Sequence, residues 1–394
     1  MSVNRDRLPT FPVILAGSAA FLNLYSTQPL LPLLARTFGA STFEVGLTIT
    51  APTVAVALTA PFIGRLADRL GLRRVIVGSA FTLAAATVLA ATSSSLHQLI
   101  VWRFVQGIAT PGIFASAVAY IHEVWPATHT GRATAAYMSG TVLGGFTGRA
   151  VAGVVAADLS WQGAFVALGI LTGAVALALW LWLPAEPVVR EWAGGAAGSF
   201  THLFRNRRLI ATCAVGFCVL FTQVAIFTYV TFHLSAPPYG LSTVALGWLF
   251  SVYLVGAVVT PLSGRWIDTH GHRAGIASAM GIGGAGALLT LMPALPVIIC
   301  GLALCATGVF VAQATSSSYI GAVTTQDRAL AVGLYSTFYY AGGSVGAALP
   351  AALWTRGGWP ACVGLVVAIQ TAGVALAFTQ WSPAPAHREV VLPD

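Results

Sequence analysis

Two arginines stand inside apolar runs. Arg103 lies in Leu99-Ile100-Val101-Trp102-Arg103-Phe104-Val105-Gln106-Gly107, and Arg149 ends Gly140-Thr141-Val142-Leu143-Gly144-Gly145-Phe146-Thr147-Gly148-Arg149. A guanidinium there is a fixed positive charge with a planar fork of donors, suited to holding carbonyls or an anion. Polar and aromatic groups recur in other apolar runs: Tyr25 and Gln28 early, then Gln223, Tyr253, Gln313 and Tyr339. Amides and phenols bind and orient a ligand without breaking bonds in it. A Ser-His-Asp set, zinc spacing, a phosphate loop and a dinucleotide fingerprint are absent from the sequence. Cys213, Cys218, Cys300, Cys305 and Cys362 all lie in apolar runs without Cys-x-x-Cys spacing, and read as packing residues. The chemistry on offer is binding. No catalysis, cofactor or metal is expected.

A third group of charges is organised differently. Gly64-Arg65-Leu66-Ala67-Asp68-Arg69-Leu70-Gly71-Leu72-Arg73-Arg74 returns 200 residues later as Gly264-Arg265-Trp266-Ile267-Asp268-Thr269-His270-Gly271-His272-Arg273, with Pro61 matched by Pro261. One charged hairpin loop used twice at one interval implies two copies of one unit.

The elements that must position these residues follow from composition. The chain is 57% hydrophobic and only 8% charged, with mean hydropathy +0.82. Soluble domains carry roughly 25% charged residues, and a membrane-spanning helix needs about 20 apolar residues. Twelve spans fit: 11–35, 43–63, 75–94, 98–121, 132–157 and 161–183, then 209–233, 243–263, 274–293, 296–320, 330–354 and 359–381. The expected fold is an all-α membrane protein, twelve transmembrane helices in two pseudo-symmetric six-helix bundles. The bundles are assigned to residues 1–184 and 209–394, joined by a cytoplasmic linker over 185–208.

The net charge of +8 comes from arginine alone. With both termini inside, fifteen of the nineteen arginines fall on the cytoplasmic side, which obeys the positive-inside rule and argues against nucleic-acid binding. A bacterial cytoplasmic membrane, surrounding lipid and a monomer are expected. Glycines 140, 144 and 148 make a small-residue ridge that lets another helix approach. The eleventh span repeats it with Gly342 and Gly346 at an offset of 198, where Arg149 is matched by Ala347.

These stretches resemble the major facilitator superfamily, most closely its twelve-helix drug and sugar efflux branch. The loop Gly-x-x-x-Asp-Arg-x-Gly-x-Arg-Arg is similar to that family's signature between helices 2 and 3. The resemblance implies that Gly64, Asp68, Arg69, Gly71 and Arg73 form a latch between the halves, with Asp268 and Arg273 a weaker copy because Thr269 replaces Arg69. Arg103 with Gln106 and Gly107 resembles the helix 4 signature tied to proton coupling in exporters. The fifth span resembles the antiporter signature only in part, since Gly145 stands where a proline normally follows.

The implied function is proton-coupled efflux of drugs, sugars or metabolites by alternating access. Uptake of a small organic anion by symport or uniport is the alternative, and a ligand-binding receptor of transporter fold is the reading from another class. Tyr25 and Gln28 either line a cavity or bond between helices. Arg103 and Arg149 lie about 8 and 12 Å below their outer span ends at 1.5 Å per residue. They bond carbonyls, pair with Glu44 or Asp158, or bind an anionic substrate between them.

Overall fold

The computed structural model describes residues 9–184, 186, 204–324 and 328–382. The linker assigned to 185–208 lies mostly outside the described residues, as do Asp327 and the charged residues of both tails. No strand occurs among the described residues. The first half comprises Phe11–Leu22 continued by Leu31–Phe38, then Thr42–Leu70, Leu72–Ala90, Leu96–Val124, Ala127–Asp158 and Trp161–Trp182. The second begins with Arg207–Ser235. Its eighth and ninth spans run through Thr243–Leu249 and Val252–Leu289, the latter turning at Gly271, and Leu295–Val323 is the tenth. Arg328–Ala348 is the eleventh, and Pro350–Gln380 turns at Gly358 into the twelfth. Among the described residues nine helices are long and apolar enough to cross a membrane.

Local chemistry sets several boundaries. Ser41 and Glu44 form a reciprocal cap on the second span, the Glu44 amide donating to Ser41 Oγ at 3.2 Å and the Ser41 amide to Glu44 Oε2 at 2.7 Å. Glu44 is thereby committed to that cap. Gly71 (φ 89°) and Gly271 (φ 84°) turn the two copies of the charged loop, in a region an L side chain rarely enters.

The first span, expected over 11–35 as a helix that its prolines make bendable, is interrupted outright. Helix stops at Leu22 and resumes at Leu31, with turns and one 3₁₀ turn between. Pro29 and Pro32 withdraw two backbone donors. The chain tightens to i→i+3 bonding, Ser26 N to Asn23 O at 3.2 Å and Gln28 N to Tyr25 O at 3.1 Å.

The glycine ridges explain the tightest pairings. A Cβ on Gly140, Gly144 or Gly148 would collide with the backbone of Ile14, Ser18 or Leu22 in the first span. The same crossing recurs in the second half, Gly342 against Phe217 and Gly346 against Phe221. Backbones meet where no side chain intervenes, so dispersion contact replaces a hydrophobic force that lipid does not provide.

Candidate functional site

Arg103 is fully buried and its donors are spent on backbone. Nε donates to Thr48 O at 2.9 Å, Nη1 to Asn23 O at 2.9 Å and to Gln106 Oε1, and Nη2 to Leu24 O at 2.5 Å. Asn23 and Leu24 begin the unwound part of the first span, where α-helical i→i+4 bonding has ceased and Asn23 O accepts from Ser26 instead. Gln106 Nε2 continues to Thr87 Oγ1 at 3.2 Å. One side chain thus ties the fourth span to the first and second. Of the arrangements open to Arg103, the structure places it on carbonyls.

Arg149 is 2% exposed and differently surrounded. Nε donates to Gln28 Oε1 at 2.8 Å and Nη1 to its own helix at Gly145 O, 2.6 Å. Its guanidinium carbon lies 5.2, 4.7 and 5.0 Å from the ring centres of Tyr25, Phe250 and Tyr253. Desolvated cation–π contacts are worth about 2 kcal/mol, which offsets much of the translocon-scale cost of roughly 2.5 to 3.5 kcal/mol for a mid-membrane arginine. Neither Glu44 nor Asp158 is bonded to either arginine. Glu44 caps its helix, and Asp158 is exposed at the end of the fifth span.

The cage joins the two halves. Gln28 Nε2 donates to Thr228 Oγ1 at 3.2 Å, a pair separated by the repeat interval of 200. Close by, Gly153 packs on Thr243 and Gly247, and Gly247 on the Arg149 carbonyl. The repeat supplies a second crossing between the halves. There Thr50 and Ser344 O are 3.3 Å apart, Ser344 Oγ donates to Thr53 Oγ1 at 2.9 Å, and Gly46 faces the Ala347 carbonyl. Thr50 and Thr53 become Phe250 and Tyr253 at the 200-residue offset, and Ala347 becomes Arg149 at 198. Two equivalent crossings therefore carry different chemistry. One is closed by small hydroxyls, the other by a cation among aromatic rings.

Of the other candidates, Gln223 lies beside the Tyr253 hydroxyl without hydrogen-bond geometry. Gln313 accepts from Tyr335 Oη at 2.8 Å, and Tyr335 stacks on Tyr339 at 5.9 Å. Tyr339 meets Tyr340, which stacks on Phe114 at 5.7 Å; Phe114 in turn contacts Phe21. This aromatic row crosses between the halves on the charged-loop side of Arg149. Phe250, Thr228, Phe114 and Tyr340 were not legible as site residues, although the 200-residue offset from Gln28 pointed to Thr228.

The charged loops close onto their own halves. Arg73 Nε donates to Leu183 O at 2.7 Å and Nη2 to Trp180 O at 2.6 Å, covering the last carbonyls of the sixth span. The Arg73 amide meets the Glu186 carboxylate. In the repeat, Arg273 Nη2 donates to Trp381 O at the end of the twelfth span. Tyr120 Oη donates to Pro184 O at 2.5 Å, and its counterpart Tyr319 Oη accepts from Ser382 N at 2.8 Å. Asp68, Arg69 and Asp268 are exposed, and Gly64 has open space around it.

Two six-helix bundles packed about a buried polar and aromatic centre define a membrane transport protein. The Major Facilitator Superfamily model matches residues 13–253 and 235–392. The chain belongs to that superfamily and is a secondary transporter. It is 31% identical over 389 residues to the MFS-type transporter YybF of Bacillus subtilis, spanning 98% of this chain and 95% of the relative. It is 28% identical to the inner membrane transport protein YnfM of Escherichia coli, over 89% of this chain and 85% of that one. Among solved structures, the nucleoside transporter NupG superposes with TM-score 0.77 at 13% identity, covering 95% of this chain and 100% of that one. An inward-facing bacterial homologue of the lysosomal transporter Spinster gives 0.74 at 17%, covering 95% and 98%.

Proposed function

We propose that the chain exports a small molecule by alternating access, driven by protons, and that the present conformation faces the cytoplasm. Export and proton drive follow the resemblance to exporters, and the observation that carries the facing is the asymmetry of closure. Gln28–Thr228, Arg149 with Phe250 and Tyr253, and Ser344–Thr53 hold the halves together toward the ends away from the charged loops. Each charged loop bonds within its own bundle. The arginine distribution supports a cytoplasmic position for the charged loops. Rocking the bundles outward breaks the Arg149 cage and brings the loop of Asp68 and Arg69 against the other half.

Flux into proteoliposomes with an imposed pH gradient tests export. A panel of lipophilic drugs, sugars and organic acids is expected to contain a compound whose movement follows the gradient and stops when an uncoupler collapses it. Movement indifferent to the gradient would make the chain a uniporter.

The charged loops and the orientation are open to separate tests. Asp68→Asn is expected to leave yield normal, because an exposed carboxamide costs little, while reducing transport at least tenfold; Asp268→Asn is expected to be milder. Equal losses would remove the asymmetry between the loops. Orientation is checked by single cysteines at Pro237 and in the tail after Ser382, in a background where the exposed Cys300 is serine. Labelling is expected from the periplasm at the first and from the cytoplasm at the second.

A further inference from the structure

The surroundings of Arg149 are rich in donors and poor in acceptors. Its Nη2 makes no hydrogen bond to any described residue. The hydroxyls of Tyr25 (6% exposed) and Tyr253 (4%) are buried and make no hydrogen bond, that of Tyr253 with the Gln223 amide beside it. The Arg149 guanidinium carbon lies 5.2 and 5.0 Å from their ring centres. Buried donors are nearly always paired in folded proteins, so two buried phenol hydroxyls without a hydrogen bond, beside a cation with one nitrogen unbonded, need an explanation. A neutral substrate would not use the charge. A divalent anion would need a second cation, and Arg103 has every nitrogen engaged.

We infer that Arg149, Tyr25 and Tyr253 form the head-group site for a monocarboxylate with an aromatic or other flat apolar body. One carboxylate oxygen accepts from Arg149 Nη2, and the tyrosine hydroxyls supply the remaining donors. The body lies along the aromatic row of Phe21, Phe114 and Tyr340, on the charged-loop side. Both halves contribute, Tyr25 and Arg149 from one and Tyr253 from the other, so the anion is held only while they are close. The equivalent crossing at Thr50, Thr53 and Ser344 has its hydroxyls bonded to one another or to backbone and no cation, so it carries no second site. The inference deepens the transport reading by naming the substrate class, and depends on it only for the passage of the bound anion across the membrane.

The test is equilibrium binding to purified full-length protein in lipid nanodiscs, with benzoate and its neutral isostere benzamide as probes. Benzoate is expected to bind at least about tenfold more tightly than benzamide, the scale of one charged hydrogen bond. Tyr25→Phe removes a hydroxyl that bonds nothing, so its ligand-free unfolding midpoint is expected to stay unchanged, and Tyr253→Phe, which leaves Gln223 without that neighbour, is expected to lower the midpoint only slightly. Each is expected to weaken benzoate by about tenfold and leave benzamide alone. Arg149→Gln is expected to abolish the preference for benzoate. Equal binding of the two probes, no benzoate binding, or unaltered benzoate affinity in both phenylalanine variants would overturn the inference. Benzoate binding without flux in proteoliposomes would count instead against transport, which keeps the two failures apart.

Discussion

Replacing Arg103 by leucine is expected to cost on the order of 5 kcal/mol and to remove most folded protein from the membrane. The side chain bonds Asn23 O, Leu24 O, Thr48 O and Gln106 Oε1 at full burial. Leucine fills part of the volume but leaves the Leu24 and Thr48 carbonyls and the Gln106 side-chain oxygen without this donor, at about 1–3 kcal/mol each, while Asn23 O keeps its bonds from Ser26. The loss exceeds that of an ordinary core substitution, because Asn23 and Leu24 belong to a non-helical segment at membrane depth, tolerated only while protein groups satisfy it. Arg103→Lys is expected to recover less than half. An ammonium is a single point and cannot bridge carbonyls of the first and second spans as a planar fork does. Yield and the unfolding midpoint in detergent measure both. An Arg103→Leu variant that folds normally yet loses proton-driven flux would make this arginine a coupling group, as the family resemblance implies.

The second large effect is expected at Gly148. An added Cβ falls on the Leu22 carbonyl, and the helix axes cannot separate without undoing the Gly140 and Gly144 contacts on the same ridge. Overpacking typically costs 1–3 kcal/mol. Rigid backbone on both sides puts Gly148→Ala at the upper end of that range, and Gly148→Val beyond folding. Gly346→Ala tests the mirrored contact on Phe221 and is expected to be nearly as damaging. Gly64 is the contrast. Nothing lies within 4 Å of its Cβ position, so Gly64→Ala is expected to hold or raise thermal stability by up to about 1 kcal/mol. Its transport is nevertheless expected to fall, because the proposed closure brings the loop that includes this glycine against the other half. A Gly64→Ala protein with normal flux would mean that the glycine is dispensable to closure.

Much of the architecture was legible because it is written locally. Hydropathy over about 20 residues marks a span, and the 200-residue return of the charged loop marks two bundles. The twelve-helix, two-bundle fold needed no tertiary information. The break in the first span was not legible. Proline at 29 and 32 permits a bend in any membrane helix, and what holds this one open is an arginine some 80 positions away.

The two buried arginines divide sequence from structure most sharply. Sequence placed Arg103 and Arg149 at similar depth and left carbonyl, carboxylate and anion partners equally available to both. Only tertiary structure separated them. Carbonyls of the unwound first span and of the second span consume every nitrogen of Arg103, whereas Arg149 meets one amide, one carbonyl and three ring faces, with a nitrogen to spare. The repeat showed that Arg149 had become Ala347 in the other copy, and so that symmetry was broken there. It could not show that Phe250 and Tyr253, standing where the first copy has threonines, surround that cation. The physical reason is range. Hydropathy and repeat spacing are properties of one segment, but a desolvated cation takes its character from whichever groups distant segments bring against it.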